Sequence, residues 1–204
     1  MERELQHMPA IGFWKVAEER PQAHAIINAE GEATTFAELE KRVNQLSNGL
    51  LQLGLNKGDA VAMVMANENA FLELLLATSQ IGLYLTPINY HLTAPEIAYI
   101  LENCEAKVFV SGASFIDTCQ TAVKENQFPA DRFYAIEGAG GIQDYENLFA
   151  DQAAERPQER SAGQLMLYTS GTTGRPKGVR RPLMDADPDQ AAMMAGMIGA
   201  IFNL

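Results

Sequence analysis

An unbroken apolar run, Ala60-Val61-Ala62-Met63-Val64-Met65-Ala66, lies between two segments of helical periodicity and constrains this chain more than any other feature. A strand that is apolar on both faces must be covered on both faces, as in a parallel sheet flanked by helices. The segment before it supplies one such helix. Thr35-Phe36-Ala37-Glu38 has the form of a capping box, in which the Thr35 hydroxyl accepts from the Glu38 amide and the Glu38 carboxylate accepts in return from the Thr35 amide. Leu39, Val43, Leu46, Leu50 and Leu53 follow at alternating spacings of four and three, and Gly54 stands where a left-handed residue would end the helix. Asn56-Lys57-Gly58-Asp59 reads as the turn into the apolar strand.

The same plan then recurs. Asn69 is placed to cap a helix over 69–81, Gly82 to stop it, and residues 83–88 form the next strand. Thr93-Ala94-Pro95-Glu96 is a second capping box, with Pro95 in the first turn where its missing donor costs nothing. It predicts a helix to Asn103, followed by a strand over 106–111, a helix near 115–126, a strand near 133–136 and a short helix near 145–149. Strands alternating with helices predict an α/β fold with a mostly parallel sheet and crossover helices. The polar stretch 151–163, which contains Pro157, marks a boundary between a first lobe, 1–160, and the start of a second, 161–204. No repeat of solenoid length is visible.

Composition excludes several functions. With 47% apolar residues in 204, the chain fills a core of its own, and its net charge of -11 disfavours a nucleic-acid groove. Cys104 and Cys119 have neither metal-ligand nor disulfide-ladder spacing, and His7, His24 and His91 are scattered. No apolar run reaches the roughly 18 residues of a transmembrane segment, and Met1-Glu2-Arg3-Glu4 does not open a signal peptide. A soluble, cytoplasmic protein is expected.

One segment carries chemistry. Tyr168-Thr169-Ser170-Gly171-Thr172-Thr173-Gly174-Arg175-Pro176-Lys177-Gly178-Val179 joins an apolar strand, expected to be buried over 165–168, to a loop rich in glycine and hydroxyl groups. Positive φ at Gly171, Gly174 and Gly178 would turn successive amides toward one anion. Ser170, Thr172 and Thr173 would add hydroxyl donors, and Lys177 a point charge. The spacing is not that of the Walker loop, where a hydroxyl residue follows Gly-Lys directly. Arg175, Lys177, Arg180 and Arg181, four of fifteen basic residues, fall within seven positions. In an acidic chain such a cluster is either a solvated basic edge or an attractor for a polyanion.

These twelve residues resemble the signature loop of the AMP-forming adenylating enzymes, which include acyl-CoA synthetases, aryl-CoA ligases, luciferases and peptide-synthetase adenylation domains. The resemblance extends to Thr34-Thr35-Phe36-Ala37-Glu38-Leu39, to Leu53-Gly54-Leu55-Asn56-Lys57-Gly58-Asp59, and to Pro87-Ile88-Asn89 with Leu92-Thr93-Ala94-Pro95-Glu96-Ile97. It departs at Arg180-Arg181-Pro182, where many members carry a hydroxyl residue and a histidine, so no role of that histidine carries over.

The resemblance implies the large amino-terminal domain of an ATP-dependent acyl-CoA synthetase. ATP and magnesium would be its cofactors, coenzyme A a co-substrate, and a small carboxylic acid, fatty or related, its substrate. Thr169, Ser170, Gly171, Thr172, Thr173, Gly174, Arg175, Pro176 and Lys177 would hold the β- and γ-phosphates. No residue of the chain is assigned to a metal. The catalytic groups of the family are expected beyond Leu204, so residues 1–204 are expected to be inactive by themselves. Met193, Met194 and Met197 stand at helical spacing, either as core or as part of an acyl pocket, and unfinished sheet edges with the apolar stretch 191–202 are expected to favour self-association. Two other readings stay open: a peptide-synthetase adenylation domain, and a non-catalytic nucleotide-binding or interaction module.

Overall fold

The computed structural model describes residues 11–138, 141–169 and 176–202 of the chain. After helix α1 (Phe13–Glu19) comes a small antiparallel pair, β1 (His24–Ile27) with β2 (Ala33–Thr35), which has no counterpart in the sequence reading. The repeating units follow: α2 (Phe36–Gln52), β3 (Ala60–Val64), α3 (Asn69–Gln80), β4 (Tyr84–Pro87), α4 (Ala94–Asn103), β5 (Ala106–Ser111), α5 (Ile116–Glu125) and β6 (Phe133–Ala135). The series ends with β7 (Gln143–Asp144), β8 (Gln164–Leu165), β9 (Leu167–Thr169), β10 (Lys177–Val179) and α6 (Pro188–Phe202).

Six of the strands form one sheet in the order β7-β6-β5-β3-β4-β8, and every adjacent pair in it is parallel. The mostly parallel α/β fold is therefore the observed one. All five residues of β3, the central strand in this architecture, are buried. Their side chains alternate between two cores. Val61 and Met63 pack with Leu46 and Leu50 of α2 and Leu74 of α3, whereas Ala62 and Val64 pack with Ile97 and Leu101 of α4 and Cys119 of α5. Each fully buried aliphatic side chain contributes about 1.5–3 kcal/mol, so covering both faces is what holds the sheet.

Both capping boxes form: Thr35 and Thr93 each exchange hydrogen bonds with the glutamate three positions on. Gly54 and Gly82 adopt positive φ at the ends of their helices. Asn69 does not cap α3. Glu68 holds the cap position in extended backbone with no side-chain bond, and Asn69 is already the first helical residue. The helix near 145–149 is a short 3-10 turn, Tyr145–Leu148.

The strand expected to be buried over 165–168 is divided and largely exposed. Met166 alone reaches the core, while Leu165 and Leu167 are 39% and 49% exposed. The reason is positional: β8 is the outermost strand, and the chain leaves the sheet after the Met166 amide bonds the Leu85 carbonyl at 2.8 Å. Met193, Met194 and Met197 are likewise more than half exposed on α6, so they are not core residues here.

Candidate functional site

The segment singled out in the sequence is the connection of a tight hairpin. Strands β9 and β10 pair antiparallel, with Thr169 opposite Lys177, Gly178 opposite Tyr168 and Val179 opposite Leu167. Thr169 and Lys177 thus flank the mouth of the loop, both exposed, with Pro176 half-buried beside them. Ser170, Gly171, Thr172, Thr173, Gly174 and Arg175 lie outside the described residues.

The legs of the hairpin rest on α4. The Tyr168 hydroxyl donates to Asn103 Oδ1 at 2.6 Å, and the Tyr99 hydroxyl donates to the Pro176 carbonyl at 3.3 Å. Burial, reinforced by Cys104 and Tyr99, pushes the Tyr168 phenol above its ordinary pKa, so it stays a neutral donor. Gly178 does not have the positive φ expected of it. Its need is for space: a Cβ there would stand 2.8 Å from Cζ of Tyr168 and 2.7 Å from Cε of Met166. The Tyr168 ring crosses β10 where no side chain intervenes.

The basic residues divide into two kinds. Arg180 is engaged in structure: it donates to the Gly58 carbonyl, lies 3.9 Å from Glu105 and stacks 4.7 Å over the Tyr84 ring. The Tyr84 hydroxyl in turn donates to the Arg181 carbonyl at 2.5 Å. Lys177, by contrast, makes no ion pair or side-chain hydrogen bond with any described residue. An ammonium group held at the mouth of a hydroxyl-rich loop, and not neutralised by the acidic body of the molecule, suits an anionic ligand.

The other chemistry-bearing side chains lie elsewhere. Among the described residues, no group of three or more His, Cys, Asp or Glu comes together to hold a metal ion. His91 lies against Tyr90, ring centroids 4.3 Å apart and the planes tilted by 44°. Cys104 and Cys119 are free and buried, and burial pushes both thiols up to about 11, which leaves little thiolate at neutral pH. A groove of about 570 Å³ runs between α4, α5 and Pro176, but Glu96, Glu102 and Glu125 line it and repel phosphate.

Tyr99 and Asn103 escaped the sequence reading. They stand four apart and so share one face of α4, yet nothing in the sequence says that a hairpin more than sixty residues later returns to that face.

A family model described as "AMP-binding enzyme" matches residues 13–182. The chain is 34% identical over 173 residues to a feruloyl-CoA synthase of an Amycolatopsis species, covering 82% of this chain and 32% of that protein. It is 32% identical over 148 residues to the long-chain-fatty-acid CoA ligase FadD13 of Mycobacterium tuberculosis, covering 71% of this chain and 29% of that protein. The chain therefore spans about a third of the length of these relatives. Among solved structures it matches a Rhodopseudomonas palustris protein assigned as a long-chain-fatty-acid CoA ligase, with a TM-score of 0.75 and 26% identity. That match covers 94% of this chain and 47% of the other.

Proposed function

We propose, from the premise that this chain belongs to the AMP-binding enzyme family, that the protein containing it is an ATP-dependent, AMP-forming acyl-CoA ligase. The observation that carries this reading is the hairpin mouth, where Thr169 faces Lys177 and the lysine has no partner among the described residues. Activating a carboxylic acid with ATP brings an anionic carboxylate to a polyphosphate, so charge must be offset before the two can meet. Lys177, with Arg175, would offset it. Ser170, Thr172, Thr173 and the loop amides would hold the β- and γ-phosphates, with magnesium arriving on ATP. A carboxylate oxygen then attacks the α-phosphorus, pyrophosphate leaves, and the acyl-adenylate passes its acyl group to the thiol of coenzyme A as AMP departs.

The substrate we infer is a hydrophobic acid, fatty or related. One relative is named for a feruloyl group and another for a long-chain fatty acid, and both acyl groups are largely apolar. The β9–β10 hairpin would open a second lobe that residues 161–204 begin. Residues 1–204 alone would release no AMP, because the acid and the adenine moiety find no assigned group in this chain. A cytoplasmic setting accords with two unpaired, buried thiols, and no helix among the described residues is long and apolar enough to cross a membrane.

The test is pyrophosphate exchange into ATP by the full-length protein, driven by a panel of fatty and aromatic carboxylic acids. Exchange that requires one of these acids is the expected result. Absence of exchange with every acid, from folded protein, would favour a nucleotide-binding module without catalysis.

A further inference from the structure

We propose that Asn103 and Tyr99 of α4, acting on Tyr168 and Pro176, are positioning residues that set where the Lys177 ammonium stands. The proposal rests on the phosphate-site reading above.

A pair of strands as short as β9 and β10 does not hold its own orientation in water. It needs an external hold on each leg, and α4 supplies both. Tyr168 ties the β9 leg to Asn103 at 2.6 Å, and the Pro176 carbonyl ties the β10 leg to Tyr99 at 3.3 Å. The two donor-acceptor pairs meet one helix face, because Tyr99 and Asn103 are separated by about one turn.

Register determines what this hold does. Tyr168 and Gly178 are opposite one another and share a face of the hairpin; Thr169 and Lys177, one position along, share the other. Fixing the first face against α4 therefore aims the second away from it. Pro176 immediately precedes Lys177, so the bond to its carbonyl fixes the peptide from which the lysine springs. If the hairpin rolled about its long axis, the ammonium would swing to a new direction while the sheet beneath stayed intact. Gly178 belongs to the same device, since any Cβ there would meet the Tyr168 ring at 2.8 Å and push it off Asn103.

The experiment uses full-length protein carrying Tyr168→Phe, Asn103→Ala, the pair together, Tyr99→Phe and Gly178→Ala. KM for ATP, KM for the acid and kcat are read from pyrophosphate exchange, alongside the denaturation midpoint. We expect KM for ATP to rise about three- to tenfold in each of the first two variants, the range set by one net hydrogen bond. The double variant should be no worse than the weaker single, because both remove the same bond. Tyr99→Phe should act in the same direction, and Gly178→Ala at least as strongly as Tyr168→Phe. KM for the acid and the denaturation midpoint should hold steady. Additive losses in the double variant, or KM for both substrates moving together with the midpoint, would show that the bonds only stabilise the fold and would overturn the proposal. If the unsubstituted protein exchanges no pyrophosphate, the functional reading falls by itself. Amide hydrogen exchange over 177–179 then decides the positioning: faster exchange in Gly178→Ala and Tyr168→Phe supports the hold, and unchanged exchange removes it.

Discussion

Two regions of this molecule gather charged and phenolic side chains, and they handle them in opposite ways. Between α2 and α3, Arg42 grips the carboxylate of Glu73 at 2.5 and 3.2 Å, and the Tyr145 hydroxyl donates to the same carboxylate at 3.0 Å. Glu146 accepts from two further guanidinium N–H groups, and the Phe149 ring lies beneath at 4.9 Å. Burial disfavours the Arg42 charge, but the bonds to Glu73 and Glu146 outweigh it and raise the guanidinium pKa; burial and the neighbouring Glu73 likewise raise the Tyr145 phenol. At the β9–β10 hairpin the fixed groups are again phenols and an amide, yet the cation next to them, Lys177, has no counter-charge among the described residues. A buried charge must find its partner inside the fold, whereas one at a loop mouth can remain open for a ligand.

The largest effect that tests this contrast is expected on the closed side. Glu73→Ala leaves Arg42 and Tyr145 without their shared acceptor and should lower unfolding stability by about 3 kcal/mol, measured by chemical denaturation. Replacing both partners by apolar residues, Arg42→Met with Glu73→Leu, should recover most of the loss. If Glu73→Ala alone is neutral, the two regions do not differ as described.

On the open side, Lys177→Ala should reduce kcat/KM for ATP by about a hundredfold, the scale of losing one well-placed charge at a phosphoryl site, while the denaturation midpoint stays in place. A drop in stability without a change in ATP kinetics would make the lysine structural. Arg180→Ala is the sharpest and smallest test. It stands three positions from Lys177, but its guanidinium is used on Gly58, Glu105 and Tyr84. It should cost about 1 kcal/mol of stability and leave ATP kinetics within about twofold. Equal effects of Lys177→Ala and Arg180→Ala on ATP would restore the view of one undivided basic cluster.

Legibility followed locality. Thr35 with Glu38 and Thr93 with Glu96 announce their helix starts because each box closes within one turn. The span 106–111 was readable to the residue, and Val108, Phe109 and Val110 within it are buried. Asn69 misled because its neighbour Glu68 already occupied the extended cap position. The strand over 165–168 misled for a different reason: apolar character says that a segment can be buried, not that another layer lies over it. At the site, the Gly- and hydroxyl-rich run with Lys177 was visible at once, while the role of Gly178 was misread, since positive φ and missing bulk look identical in a sequence.

By itself, then, the sequence determined the alternation of helix and strand, the two-sided burial of β3 and the position of the Gly- and hydroxyl-rich segment proposed to hold phosphate, because each is written in contiguous residues. Only the tertiary structure decided the strand order β7-β6-β5-β3-β4-β8, the seating of the hairpin on Tyr99 and Asn103, and the division of the basic residues into Arg180, which is paired, and Lys177, which has no partner among the described residues. These depend on residues tens of positions apart meeting through packing, and no local pattern encodes which cation will find a partner when the chain closes.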